Sequence, residues 1–82
     1  MNMIEQILEQ YYDEEFLKVD GFDDAIIGIE ENEMRLIYSV SKCLKILEQD
    51  MNDLDAMEYF TYNVSGAYVG EKTPIWCWDN FA

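Results

Sequence analysis

Ala25-Ile26-Ile27-Gly28-Ile29, then Glu30-Glu31-Asn32-Glu33, then Met34-Arg35-Leu36-Ile37-Tyr38 is the stretch on which the fold turns. Its first run is rich in β-branched residues, which suit a pleated, half-buried surface. The polar quartet between the runs has the length of a hairpin connection. In the second run Met34, Leu36 and Tyr38 fall on one side at a period of two. This pattern predicts an antiparallel pair over 25–29 and 34–38, the centre of a small sheet.

Helical patterns lie on both sides of the pair. Asn2 followed by Glu5 forms a capping box, and Ile4, Ile7, Leu8 and Tyr11 then share a face, so a first helix is expected over 3–13. Glu5, Gln6, Glu9 and Asp13 would cover its outer side, and Gly21 breaks the chain before the strands. Ser39 can cap a second helix in which Val40, Cys43, Leu44 and Leu47 face inward while Lys42, Lys45 and Glu48 stay wet. Asn52 with Asp55 repeats the cap for a third helix carrying Ala56, Met57, Tyr59, Phe60 and Val64 as far as a stop at Gly66. Beyond it, Ala67-Tyr68-Val69-Gly70 reads as a turn or short strand, Thr73-Pro74 as a break, and Ile75 to Trp78 as a final strand or docked aromatic tail. The expectation is one α+β domain over 1–82, with three helices packed on a small antiparallel sheet. Ile7, Leu8, Ile27, Leu36, Leu44, Leu47 and Phe60 should be buried.

A chain of 82 residues can enclose only one core. Half its residues are apolar and 15% are aromatic, unlike the composition of disordered acidic tails. Domains of this size gain from oligomerisation, so a homodimer is an open possibility. The charge stands out: 18 acids against five bases give −13, and residues 1–33 hold eleven of those acids against Lys18 alone. Such a surface repels phosphate backbones and anionic lipid heads, which disfavours direct nucleic-acid or membrane binding and favours a basic protein as partner. No run approaches the ~20 apolar residues of a membrane span, and the acidic start is unlike a signal peptide. Cytoplasmic residence with reduced, buried Cys43 and Cys77 is therefore expected.

Little in the chain suggests catalysis. With no histidine and no serine in a strand-turn-helix elbow, a nucleophile lacks its base. Gly21, Gly28, Gly66 and Gly70 are too scattered for a phosphate loop. Taking Asp20 as the start of a calcium loop puts Phe22 at the third position and Ala25 at the sixth, where a ligand and a glycine are needed. No catalytic residue, cofactor or metal site is assigned, and the chain is expected not to be an enzyme. Asn63 is expected to be buried and bonded to the following turn. Trp76 and Trp78 flank Cys77, so one ring can face the core and the other outward. Core packing of both is the plainer expectation, whereas an exposed ring beside Phe81 would anchor a partner or a second subunit.

Asp20-Gly21-Phe22-Asp23-Asp24-Ala25-Ile26-Ile27-Gly28 resembles a motif of a group of small acidic proteins encoded by bacteriophages and prophages. So does Glu58-Tyr59-Phe60-Thr61-Tyr62-Asn63 with Gly66-Ala67-Tyr68-Val69-Gly70-Glu71-Lys72-Thr73-Pro74-Ile75 behind it, and the resemblance extends over residues 3–78. Where members of that group often carry Asp before the second helix, this chain has Ser39, and the capping role survives the exchange. What the resemblance implies is an accessory protein of a phage or mobile element, acting in the cytoplasm of an infected bacterium.

Joined to the acidic field, that setting makes an inhibitor of a host nucleic-acid-binding protein the leading expectation. Anti-CRISPR or anti-restriction activity by nucleic-acid mimicry is one form of it. Glu5, Glu9 and Asp13 recur every four residues, about 6 Å apart along a helix axis and comparable to phosphate spacing, and Asp20, Asp23 and Asp24 could extend the line. One rival is a structural or interaction module, monomeric or homodimeric, that assists phage development through contacts of apolar and aromatic residues. Another is a sponge for a small signalling nucleotide, weakened by the few bases available: Lys18, Arg35, Lys42, Lys45 and Lys72. The plain alternative is that the acids only keep the surface soluble. A continuous carboxylate stripe would favour mimicry, and an apolar patch ringed by acids would favour assembly.

Overall fold

The computed structural model describes residues 2–67 and 69–81. The elements are α1 (Met3–Gln10), a 3-10 turn (Asp23–Ala25), β1 (Ile26–Glu30), β2 (Arg35–Ser39), α2 (Val40–Leu47), α3 (Asp53–Tyr59), a π-helix (Phe60–Ser65) and β3 (Ile75–Cys77). They form a small α+β domain with a three-stranded sheet ordered β1-β2-β3.

The expected hairpin is present, with Ile26 opposite Tyr38, Gly28 opposite Ile37, Ile29 opposite Leu36 and Glu30 opposite Arg35. A bulge between Ile26 and Gly28 inserts Ile27 as an extra residue. It reverses the alternation there, so that Ile26 is buried and Ile27 only half-buried. The Glu30 carboxylate closes the turn by accepting from the Asn32 and Glu33 N–H groups at 2.6 and 2.9 Å. Met34 is not a strand residue: it ends the turn at φ +56°, in the left-handed region that matches a short hairpin loop to the twist of its strands.

β3 departs from the antiparallel expectation. It lies parallel to β2, pairing Ile37 with Ile75, Tyr38 with Trp76 and Ser39 with Cys77. The reason is the connection. β2 runs straight into α2, and the chain crosses over through α3 and the π-helix, which supplies the length that a parallel return needs.

All three predicted N-caps are seated. Asn2, Ser39 and Asn52 accept from the N–H groups of Glu5, Lys42 and Asp55 respectively. The core gathers Ile4 and Ile7 of α1, Leu36 and Tyr38 of β2, Val40, Cys43 and Leu44 of α2, and Ala56, Phe60 and Val64 of the last helical stretch. Of the residues expected inside, Ile7, Leu36, Leu44 and Phe60 are buried, while Leu47 is only half-buried. Leu8 is a correction at 47% exposure. α1 buries only the side that carries Ile4 and Ile7, and Leu8 falls beyond the rim; the helix also stops at Gln10 rather than residue 13.

The Tyr38 phenol lies wholly inside and accepts the Val19 N–H at 2.9 Å, which ties the segment after α1 to the core. Burial raises its pKa above the ordinary tyrosine value. At the far end the helix stops at Gly66 as expected, yet not through a left-handed cap, since φ there is −79°. Glycine is needed because a Cβ would stand 2.9 Å from the Thr61 carbonyl oxygen. Asn63 is exposed rather than buried, and Tyr68 of the turn that follows lies outside the described residues.

Candidate functional site

Of the six acids of the candidate surface, Glu5 and Glu9 lie on α1, Asp23 and Asp24 on the 3-10 turn against which α1 packs, and Asp13 and Asp20 on the chain between. Glu5 and Glu9 stand one turn apart on α1, opposite the buried Ile4 and Ile7. Asp13 lies beyond the helix end, so the expected three-membered helical row is a pair followed by a turn residue. Asp20 and Asp24 are exposed on the loop and the 3-10 turn. Asp23 behaves differently: Lys18 Nζ lies 3.3 Å from its Oδ2, and its Oδ1 is shielded from water without a hydrogen-bond partner.

Lys18–Asp23 is the only ion pair within 4.0 Å among the described residues. Two further cations are directed elsewhere. Arg35 Nε donates to the Thr73 carbonyl at 2.6 Å, and Lys72 Nζ lies 3.4 and 3.5 Å from the carbonyls of Glu33 and Met34. Those bonds hold the segment before β3 against the hairpin. Among the described residues Glu5, Glu9, Asp13, Asp20 and Asp24 make no ion pair within 4.0 Å, and their charges add to a negative field. Among the described residues no group of three or more Asp, Glu, His or Cys side chains is placed to hold a metal ion. No helix among them is long and apolar enough to cross a membrane.

The two tryptophans separate. Trp76, half-buried, packs against the core, its ring centroid 5.1 Å from Tyr38 and 5.3 Å from Phe60, with an indole N–H that is buried and unpaired. Trp78 stands edge-on to Phe60 at 5.7 Å but is 47% exposed, and Phe81 beyond it is 87% exposed. The expectation that both rings enter the core therefore holds for Trp76 alone. β3 and β1 are the two edges of the sheet, and α1 packs against β1.

Three features escaped the reading of the sequence. Asp79 accepts from Ser39 Oγ at 2.6 Å and from the Ser41 N–H at 2.9 Å, and the first of these bonds chiefly holds its carboxyl below the usual carboxylate range. Cys43, fully buried, has its thiol pushed up to about 12, mainly by burial and secondly by the charge of Asp79, whereas Cys77 is only half-buried. On the outer side of the last helical stretch, Leu54 and Tyr62 are 78% and 77% exposed and line an open groove of about 420 Å³ with Met57, Glu58 and Thr61. Their helical spacing was the available signal; the stronger inward pattern of Ala56, Phe60 and Val64 concealed it.

No protein-family model matches the chain, and neither the curated proteins nor the solved structures provide a match to it.

Proposed function

We propose that this chain is a non-catalytic acidic binding protein that occupies the nucleic-acid-binding surface of a basic host protein, in the cytoplasm of a bacterium carrying the phage or mobile element that encodes it. The observation that carries this reading is the lack of internal compensation: among the described residues one ion pair stands against a net charge of −13 in the sequence, and Glu5, Glu9, Asp13, Asp20 and Asp24 are exposed. A basic groove built for phosphates gains from such an array by charge complementarity, and long-range attraction speeds the encounter. The resemblance to small phage proteins supports an anti-defence role of the anti-CRISPR or anti-restriction kind.

A second reading, an interaction module or homodimer working through apolar contacts, draws support from the exposed Leu54, Tyr62, Trp78 and Phe81. The two readings separate by competition. The tagged protein is loaded with what it retains from a bacterial lysate and then washed with duplex DNA at constant ionic strength. Release of a DNA-binding protein by duplex supports occupation of its nucleic-acid surface; retention unaffected by duplex contradicts it.

A further inference from the structure

α3 and the π-helix present two apolar faces. Ala56, Phe60 and Val64 enter the core, and Leu54, Met57 and Tyr62 line the groove on the outside. The outer stripe runs from Leu54 and Met57 of α3 to Tyr62 of the π-helix that the chain enters at Phe60. An exposed leucine and an exposed tyrosine on one helical face are the kind of groups against which another helix packs its ridge.

Charge decides the occupant. Asp53, Asp55 and Glu58 are the ionisable side chains of residues 53–65 apart from the tyrosines, and no lysine or arginine lies among them. Glu58 lines the groove itself. A second copy of the chain would bring the same carboxylates and another −13 against this surface. A helix with apolar residues on one face and lysine or arginine beside them meets both the groove and its rim. We infer that the groove formed by Leu54, Met57, Glu58, Thr61 and Tyr62 docks a cationic amphipathic helix of the partner protein. This rests on the reading of the partner as basic, and adds an apolar anchor away from the acids of α1.

The probe is a synthetic amphipathic helix of leucine and lysine, compared with a scramble of the same composition and with oligolysine. Binding is measured by titration calorimetry to the wild type and to the Leu54→Ser/Tyr62→Ser variant, whose fold is checked by circular dichroism. The variant should bind the amphipathic peptide about tenfold more weakly while its affinity for oligolysine is unchanged. Equal affinity of the two proteins for that peptide overturns the proposal, as does equal wild-type affinity for peptide and scramble. A wild-type dimer by sedimentation that the double substitution dissociates also overturns it, since a second copy then fills the groove. A Glu5→Gln/Glu9→Gln/Asp13→Asn variant separates the two ideas: unchanged oligolysine affinity counts against the acidic face and leaves the Leu54/Tyr62 comparison to decide the groove.

Discussion

Ser39 Oγ donates to the Asp79 carboxylate at 2.6 Å and accepts the Lys42 N–H at 3.2 Å, so one buried hydroxyl both caps α2 and fastens the segment after β3 to its start. The carboxylate also accepts the Ser41 N–H, placing a negative charge at the positive end of the helix.

Replacing Ser39 by Ala removes the cap and the tail contact together and should destabilise the domain by about 1–2 kcal/mol, read from urea unfolding. Asp79 adds a pH dependence. Its folded pKa is depressed, so its contribution is full above the unfolded-state value of about 3.9 and is lost as pH falls through the lower folded value. The wild type should therefore lose more stability than Asp79→Asn between about pH 5 and about pH 2. Parallel losses in the two proteins would remove the bond from the account.

Cys43 and Cys77 should differ in reactivity. Cys43 is fully buried with its thiol pushed up to about 12, so near pH 8 it holds almost no thiolate. Iodoacetamide under native conditions should label Cys77 first, with Cys43 reacting only after denaturant is added, as read by peptide mass. Equal native labelling would contradict the burial of α2 against the sheet.

The core assignment predicts unequal costs for two large apolar residues. Phe60, with no exposed surface and edge-on to Trp76 and Trp78, should cost about 3–5 kcal/mol when changed to Ala. Leu8, nearly half exposed, should cost less than about 1 kcal/mol. Chemical denaturation of the two variants checks the order, and similar losses would mean that α1 is seated differently.

These residues also show what the sequence could reveal. The caps at Asn2, Ser39 and Asn52 were legible because each bond joins residues three apart, and the hairpin because its pairing is local. The parallel seating of β3 and the Ser39–Asp79 bond join residues far apart in the chain, which no local pattern encodes. Asp13 was misplaced because the apolar spacing continued past Gln10 while the backbone left the helix at Tyr11, and Leu8, inside the helix, was misplaced because only the Ile4–Ile7 side of α1 meets the core. Among the candidate acids, type and order told of a negative surface, but only the folded chain engages Asp23 with Lys18 and leaves the others exposed.

The most direct test of the central claim compares two sets of charge removals on binding of the basic protein retained from a bacterial lysate. One variant carries Glu5→Gln, Glu9→Gln and Asp13→Asn, and the other carries Glu31→Gln, Glu33→Gln and Glu71→Gln at exposed positions outside the candidate surface. Affinity is measured at several salt concentrations, where screening weakens exposed charge contacts. The account predicts that the first variant binds more weakly and with a flatter salt dependence, while the second stays near wild type. Equal losses from both sets, or none from the first, would contradict it.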